Sequence, residues 1–410
     1  RDVTGVQTCA LPISCFIAEN GTLLAESERF SPKSELIISD IDIFALRHDK
    51  LINTKYNTFV TAYPAEIECS IEPVSAKKMY RTFSAHPFIP PDDKKDEDLS
   101  DLFQIQINGL AKRLLHTGIK NMVIGISGGL DSTLSLLVSV KVSDLLELPR
   151  KNIHGITMPG LGTTNRTYTN AITLMESLGI TIKEISINDA IYQHFKDIGH
   201  DINNHDITYE NSQARERTQI LMDYSNKINA LVVGTGNMSE LALGWTTYNG
   251  DHMSMYSLNS GIPKTLVATL VKWIGDKQTD ETAKKIIYDI LDTPFSPELL
   301  PADREGKIAQ KTEDNIGPYE LHDLFMYRML RYGDSPRRIL FIAQQAFKDK
   351  YTGDEILQRL RVFYKRFFSQ QFKRSCMPDG PKVGTINLSP RGSWRMPSDA
   401  IVKAWLEDLE

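Results

Sequence analysis

Short apolar runs and stretches of helical spacing alternate along most of the chain. The apolar run 123–126 leads directly into Ser127, Gly128 and Gly129. After the glycines, apolar residues recur every three to four positions, as they do on one face of a helix. We therefore predict a strand, a glycine-rich loop and a helix, with the helix face formed by Leu134, Leu137, Val138 and Val142.

The same alternation predicts the fold class of the larger part of the chain. Apolar runs predict strands at 153–158, 180–187 and 230–234, and helical spacing predicts helices at 102–115, 166–178 and 319–368. Strands that alternate with helices form parallel sheets with helices on both faces. We therefore predict an α/β fold with a helical carboxyl-terminal part, and we expect ligands at the carboxyl ends of the strands.

The amino-terminal region has a different pattern. Short apolar runs at 16–18 and 23–25 flank turn residues at 19–22. Further strands are predicted at 36–43 and 57–62. This region is therefore expected to be small and rich in β-structure.

The predicted domain boundaries follow these changes of pattern. Residues 1–14 begin without Met and look like a translated sequencing-adapter artefact, so we exclude them from the prediction of the fold. We also expect that the natural protein was truncated upstream of Cys15. Residues 15–82 form the β-rich part. Prolines followed by a run of charges predict an exposed linker over 83–100, and 101–410 form the main domain.

Composition narrows the functional classes. The chain has 410 residues, of which 41% are hydrophobic and 24% charged, as in globular proteins. A net charge of −5 and a pI near 6.0 do not indicate the excess of positive charge that is typical of proteins that bind nucleic acid. We find no apolar run long enough to span a membrane. The widely spaced cysteines lead us to expect reduced thiols in a cytoplasmic protein.

The cysteines suggest neither disulfides nor zinc. They are far apart, with no pair in C-x-x-C spacing. We interpret Cys15 as a buried thiol within a strand rather than a catalytic nucleophile. The four positions are Cys9, Cys15, Cys69 and Cys376.

The glycine-rich loop has the chemistry of a phosphate-binding site. Gly128 and Gly129 allow backbone N–H groups to approach an anion at the positive end of a helix. A carboxylate at Asp131 would repel phosphate unless a cation lay between them, so we assign it to Mg²⁺. Hydroxyl donors come from Ser127, Ser132 and Thr133.

The loop resembles the S-G-G-x-D-S pyrophosphate loop of the ATP pyrophosphatase family. It has no Lys after the second glycine and so is not a G-x-x-x-x-G-K-[ST] loop. The resemblance implies an adenine nucleotide α-hydrolase-like sheet and cleavage of ATP between its α and β phosphates. A glycine-rich turn between a core strand and a core helix is the structural alternative.

A second group of polar residues follows the strand predicted at 230–234. Thr235 can reach a phosphate, and Glu240 can complete a Mg²⁺ site with Asp131. Glu240 could instead be a helix amino-terminal charge. The loop 244–251 suits a flat ring and a ribose, although a packed Trp in an ordinary loop would look the same.

Several further motifs resemble the NAD synthetase domain, in order along the chain from residue 99 to the carboxyl end. They lie at 158–167, 211–217, 234–251, 261–267, 325–347, 372–375 and 389–392. Residues 17–26 resemble the last strands of the nitrilase-like glutaminase domain that is fused to such synthetases. The Glu, Lys and Cys triad of that domain lies upstream of the part present here, so we expect this chain to lack its own glutaminase.

The resemblance implies roles for individual residues. Asp131, Lys264 and Lys373 would be catalytic, and Asp131 and Glu240 would bind Mg²⁺. Without the resemblance, each lysine could be an ordinary surface residue, and Arg215 and Arg217 could be helix-surface charges. ATP would contact Gly125, Ser127, Gly128, Gly129, Leu130, Asp131, Ser132, Thr133, Met158, Thr235 and Lys264. Deamido-NAD would contact Asn211, Glu240, Trp245, Thr246, Thr247, Tyr248, Asp251 and Lys373.

The implied reaction is ATP-dependent amidation of deamido-NAD to NAD through an acyl adenylate, with ammonia as nitrogen donor. The implied cofactor is Mg²⁺, and the implied assembly is a homodimer or larger homo-oligomer. We expect the polar segment 299–314 to close over ATP. Two alternatives are another amidating or thiolating ATP pyrophosphatase, and a truncated fragment that binds nucleotide without turnover.

Overall fold

The computed structural model describes residues 14–53, 79–163, 165–278, 280–293 and 315–410. Near the amino end, strands β1 (Phe16–Glu19) and β2 (Thr22–Glu26) pair antiparallel, as the turn between them predicts. The next regular element is helix α1 (Ile43–Ile52). The strand predicted at 57–62 lies outside the described residues.

The prediction of a strand at 36–43 is wrong. Residues 36–42 have no regular structure, and Ile43 begins α1. The polar residues within this stretch make local contacts: the Asp42 carboxylate caps α1, and Asp40 accepts hydrogen bonds from the N–H groups of Tyr80 (2.7 Å) and Arg81 (2.9 Å). Capping of a helix by Asp satisfies N–H groups that a strand would have paired elsewhere.

A five-stranded parallel sheet forms the centre of the main domain. Its order is β5, β4, β3, β6, β7, so β3 is the central strand. Successive residues of β3 point to opposite faces of the sheet. Met122 and Ile124 pack in the hydrophobic core on one face, and Val123 packs in the core on the other. The strands are β3 (Asn121–Gly125), β4 (Ile153–Thr157), β5 (Thr181–Glu184), β6 (Ala230–Gly234) and β7 (Tyr256–Ser257).

Helices cover both faces of this sheet, which confirms the predicted α/β class. The main-domain helices before the carboxyl-terminal part are α2 (Lys95–Thr117), α3 (Leu130–Leu145), α4 (Asn165–Ser177), α5 (Asn188–Ile198), α6 (Ile207–Ile228), α7 (Met238–Leu243), α8 (Lys264–Asp276) and α9 (Glu281–Leu291). Helix α2 begins at Lys95, inside the predicted linker, because the acidic part of the charge run forms its first turn. The prediction of a linker throughout 83–100 is therefore wrong for its last six residues, 95–100.

A second core lies among the carboxyl-terminal helices. Residues of α7 and of the helices that follow 315 pack together there, and Phe363 and Tyr364 are fully buried. This arrangement places the short α7 between the sheet and the helical part. The helices are α10 (Tyr319–Tyr332), α11 (Pro336–Ala346), α12 (Gly353–Ser369), α13 (Gln371–Ser375) and α14 (Lys403–Glu407).

The tail after α13 returns to the edge of the sheet. The N–H of Ser257 in β7 donates to the carbonyl of Asp379 (2.7 Å). The approach is close: a β-carbon at Gly380 would lie 2.1 Å from the carbonyl oxygen of Ser257. The Asp379 carboxylate also pairs with Arg113 of α2 (2.9 Å) and Arg391 (2.7 Å). The tail is therefore an integral part of the fold.

Two further predictions concerned Cys15 and the segment 299–314. Cys15 is exposed and precedes β1, so the prediction of a buried strand thiol is wrong. The segment 299–314 lies outside the described residues. Among the helices of the described ranges, none combines the length and apolar character needed to cross a membrane.

Candidate functional site

The predicted phosphate-binding loop joins β3 to α3. Gly128 has φ +84°, and a β-carbon there would lie 2.2 Å from the carbonyl oxygen of Thr167. The loop is curled on itself: the Ser127 and Ser132 hydroxyls lie 3.3 Å apart, and Ser132 donates to the Gly129 carbonyl (3.0 Å). Only glycine fits at Gly128, because both the positive φ and the close backbone exclude a side chain.

Asp131 lies at the start of α3, one residue after the buried Leu130, and meets two other predicted site residues. Its carboxylate forms an ion pair with Nζ of Lys264, the first residue of α8. The same Nζ lies 3.5 Å from Oε1 of Glu240 in α7. One ammonium thus lies between the two carboxylates that the sequence assigns to Mg²⁺, and Lys264, only 6% exposed, is no ordinary surface lysine.

Burial and charge shift the ionisation of this cluster. Burial alone would lower the pKa of Lys264, but the Asp131 and Glu240 carboxylates outweigh it and raise that pKa. Burial, together with the Asp131 charge, raises the pKa of Glu240 well above its ordinary value, and Lys264 opposes this. The cluster therefore keeps its ammonium protonated, and its second acidic group, Glu240, would be favoured in the ionised form by a bound cation.

Asn237, a residue to which the sequence analysis gave no role, orients both carboxylates. Its side-chain amide donates to Asp131 Oδ1 (2.9 Å), and its side-chain oxygen accepts from the N–H of Glu240 (3.0 Å). The Glu240 carboxylate in turn accepts from the N–H of Asn237 (3.2 Å), which completes a capping box at the start of α7. The spacing Asn237-x-x-Glu240 is typical of a capping box, so the sequence could have indicated this role of Asn237.

Asn259 is a second residue that the sequence analysis missed. It is fully buried, and its amide group donates to the backbone carbonyls of Asp131 (3.0 Å) and Thr235 (3.1 Å). Gln106 of α2 donates to its side-chain oxygen (3.0 Å). Asn259 therefore fixes the start of α3 against the end of β6, and no local pattern in the sequence indicates this long-range contact.

Met158 follows the carboxyl end of β4, beside the central strand. It is 8% exposed, and its Cε lies close to Gly125, 3.4 Å from where a β-carbon of that residue would be. Arg217 donates to the Met158 carbonyl (3.1 Å). Together with Thr235 at the end of β6, these residues place the predicted ATP contacts at one edge of the sheet.

The predicted deamido-NAD residues form a second group after α7. The Thr247 hydroxyl donates to the side-chain oxygen of Asn211 (2.7 Å), and the Thr247 N–H donates to the Asp251 carboxylate (2.7 Å). Arg215 donates to the carbonyl of Tyr248 (3.2 Å). Arg215 and Arg217 thus contact the backbone of candidate site residues and are more than helix-surface charges.

Lys373 of α13 closes the loop at 244–251 from the other side. Its Nζ donates to the carbonyls of Gly244 (2.8 Å) and Thr246 (2.6 Å). Burial lowers the pKa of Lys373 to about 8, with a further lowering by Arg366 and an opposing effect of Asp251. A lysine with this pKa titrates near neutral pH.

Aromatic residues line the outer part of the same loop. The Arg366 guanidinium lies 5.0 Å from the centre of the Trp245 ring, which packs partly buried against the helical core. Tyr248 is exposed, and its ring centre lies 5.4 Å from that of Phe372. The backbone N–H of Trp245 donates to the backbone carbonyl of Glu240 (2.9 Å), so the two groups of candidate residues meet at α7.

Comparison with known proteins identifies the family. A family model described as NAD synthase matches residues 102–340, which is more than half of the chain. The chain belongs to the NAD synthase family. The match includes both groups of candidate residues except Lys373.

Curated relatives of this NAD synthase family member are longer proteins. The glutamine-dependent NAD(+) synthetase of Mycobacterium leprae (strain TN) is 40% identical over 426 residues, which cover 96% of this chain and 62% of the relative. That of Thermotoga maritima is 28% identical over 373 residues, covering 89% of this chain and 58% of the relative. The chain thus spans about three fifths of the length of these relatives.

A solved structure supports the fold of this chain. The crystal structure of a glutamine-dependent NAD(+) synthetase from Cytophaga hutchinsonii superposes with a TM-score of 0.62 at 20% identity. The superposition covers 76% of this chain and 56% of the other. At this identity the likeness concerns the fold alone.

Proposed function

We propose that the chain amidates deamido-NAD to NAD at the expense of ATP, through an acyl adenylate. The observation that carries the proposal is the convergence of Asp131, Glu240 and Lys264 beside the curled loop at Gly128, in a chain of the NAD synthase family. The nicotinate carboxylate attacks the α-phosphorus of ATP, and pyrophosphate leaves. Ammonia then attacks the acyl carbon and displaces AMP.

The loop residues fit the phosphates of ATP. The helix α3 begins at Leu130, so its first N–H groups point toward the loop, and the Ser127 and Ser132 hydroxyls stand beside them. Thr133 Oγ1 is buried and has no hydrogen-bond partner within the described residues. Donors of this kind bind phosphate oxygens at the start of a helix.

Lys264 is suited to the departure of pyrophosphate. Negative charge accumulates on the bridging oxygen as the bond to the α-phosphorus breaks, and a fixed ammonium stabilises that charge. The Asp131 carboxylate and the Glu240 side chain hold Nζ in place before substrates arrive. This pre-orientation lowers the reorganisation that the reaction requires.

The carboxylates of Asp131 and Glu240 also fit Mg²⁺, because this ion prefers oxygen ligands and retains several waters. Within the described ranges, no group of three or more His, Cys, Asp or Glu side chains could hold a metal, so phosphate and water would supply the other ligands. Bound Mg²⁺ would offset phosphate charge.

The second group of residues fits the nicotinate nucleotide. Thr247 and Asn211 present a coupled hydroxyl and amide, and Lys373 places a cation at the same loop. Trp245 and Tyr248 supply aromatic surfaces for a flat ring. Because both groups meet at α7, the nicotinate carboxylate and the α-phosphate can be brought together there.

The proposal is tested by product formation from deamido-NAD, ATP and Mg²⁺, with ammonium chloride in one reaction and glutamine in another. We expect NAD and AMP in equal amounts with ammonium. Product with glutamine as well would show that the protein tested also releases ammonia from glutamine. ATP binding without AMP release in either reaction would instead favour a nucleotide-binding fragment.

The partners and location are part of the same proposal. We propose a homodimer or larger homo-oligomer, as the family resemblance implies, and a cytoplasmic location, which the widely spaced cysteines favour. Sedimentation of the purified chain at several concentrations tests the assembly. A monomer at all concentrations would contradict it.

A further inference from the structure

Helix α8 has no capping side chain from the residue that precedes it. Pro263 occupies that position and makes no side-chain hydrogen bond to the first turn. The first N–H groups of a helix need acceptors from elsewhere. Asp323 of α10 supplies one, because its Oδ2 accepts from the Thr265 N–H (3.1 Å) and the Thr265 hydroxyl (2.7 Å).

Ser239 extends this contact to Lys264. Its hydroxyl donates to Asp323 Oδ1 and accepts from the Lys264 N–H (2.8 Å). Ser239 directly precedes Glu240 in the first turn of α7. Asp323 is therefore hydrogen-bonded to the first turns of both helices that carry the Glu240 and Lys264 side chains.

Helix α10 also contacts the other end of Lys264. The ring centre of Tyr319 lies 5.7 Å from Nζ, within the range of a cation–π contact. Tyr319 and Asp323 are four residues apart and so lie on the same face of α10. One helix face thus holds Lys264 at its backbone and at its ammonium.

The burial of the Asp323 carboxylate suggests that it has a role in the site. The residue is 1% exposed. Burial raises its pKa to about 6, and the hydrogen bonds from Ser239 and Thr265 oppose this rise. A buried carboxylate lowers stability unless fixed donors surround it, and here the donors belong to candidate site elements.

We propose that Asp323 is a positioning residue for the adenylation step, which acts through Ser239 to fix Lys264 between Asp131 and Glu240. Asp323 itself touches neither substrate in this proposal. The inference rests on the proposed function, because its kinetic consequence is a loss of pre-orientation at Lys264. It extends the site to α10, which the sequence analysis predicted only as part of the helical carboxyl-terminal region.

The first test measures exchange of labelled pyrophosphate into ATP, with deamido-NAD and no ammonia, so that only adenylation is observed. In Asp323→Asn the new amide cannot accept from Ser239 and from Thr265 at the same time. We expect kcat for exchange to fall by about 10-fold or more, with the KM for deamido-NAD within about threefold of the original. Asp323→Glu should recover part of this loss.

The matched control is Asp334→Asn. Asp334 is also a buried carboxylate, and it pairs with Arg328 (2.6 Å) and Arg338 (2.8 Å) at the end of α10. It has no contact with the candidate site in the described structure. Equal losses of kcat in Asp323→Asn and Asp334→Asn, at equal melting temperatures, would overturn the proposal.

A second test does not depend on activity. Acetic anhydride labels lysines according to exposure and protonation, and mass spectrometry compares Lys264 with the exposed Lys272 of the same helix. We expect acetylation of Lys264 to rise several-fold in Asp323→Asn and to stay unchanged in Asp334→Asn. Unchanged labelling in both would contradict a positioning role.

The two tests separate the two proposals. If the original chain shows no exchange, the proposed function fails, and the labelling experiment still decides whether Asp323 positions Lys264. If Asp323→Asn does not fold, Ser239→Ala replaces it, because this variant keeps the bonds between Asp323 and Thr265. Labelling of Lys264 should then rise in Ser239→Ala as well, and a value equal to the original would overturn the inference.

Discussion

Lys264 Nζ lies 3.5 Å from Glu240 Oε1, although the two residues lie in the first turns of different helices. The same ammonium pairs with Asp131 at the start of a third helix. Three helix starts thus place their charged side chains at one point. Because negative charge is favoured and positive charge disfavoured at a helix start, the ammonium of Lys264 depends on the two acidic side chains.

Lys264→Gln tests the role of this ammonium. The variant keeps a polar side chain but cannot stabilise charge on departing pyrophosphate, so we expect kcat for pyrophosphate exchange to fall by about 100-fold or more. It also leaves two acidic groups without their cation, so urea unfolding should show a loss of about 3 kcal/mol. Lys272→Gln, on the exposed face of the same helix, should change neither value.

Gly128→Ala tests the geometry of the loop. The alanine side chain would meet the Thr167 carbonyl oxygen, and the backbone would keep a positive φ. We expect the free energy of unfolding to fall by about 1–3 kcal/mol and ATP binding to weaken. Gly384→Ala is the control, since no atom lies within 4 Å of its added carbon. Equal effects of the two substitutions would contradict a special role of the loop conformation.

Arg374→Met tests a buried guanidinium that binds backbone carbonyls of α7, the helix that carries Glu240. Arg374 is fully buried, and its guanidinium donates to the carbonyls of Leu241 (3.1 Å), Ala242 (2.8 Å) and Phe367. Loss of these donors leaves buried carbonyls unsatisfied, so we expect urea unfolding to show a loss of about 3 kcal/mol or more. The exposed Arg395→Met should leave stability unchanged, and a small effect at Arg374 would show that water replaces its contacts.

His322 makes stability depend on pH. Burial lowers its pKa from 6.5 to about 4, so the ring stays neutral in the folded state, where its Nε2 donates to the Ile316 carbonyl (2.7 Å). The unfolded chain takes up a proton at higher pH than the folded one, so stability falls as pH falls from about 6.5 to 4. The full contribution is about 3 kcal/mol.

The measurement is urea unfolding of the original chain and of His322→Gln across this pH range. Asp323 has a raised pKa and gains stability as pH falls, so it acts in the opposite direction. The difference between the two proteins removes that contribution, provided that Asp323 is unchanged. Parallel pH profiles would show that His322 titrates as it does in the unfolded chain.

Local patterns in the sequence were sufficient for the strand, loop and helix around Gly128, because each depends on neighbouring residues. The contacts of Lys264 with Asp131 and of Asp323 with Thr265 were not predictable in this way. They join residues far apart in the chain, through a sheet order that alternation of elements does not specify. The wrong prediction of a strand at 36–43 has a local cause, because capping of α1 by Asp42 outweighed the apolar pattern of this stretch.

The contact between the tail and β7 has a consequence for biosynthesis. Ribosomes release the amino-terminal parts of a chain first, and these begin to fold before synthesis ends. The loop at Gly128 and strand β6 therefore emerge while the partner of Ser257, the carbonyl of Asp379, is still to be made. Until Asp379 leaves the ribosome, strand β7 lacks this contact and forms an exposed edge of the nascent sheet, and exposed strand edges can pair with other chains.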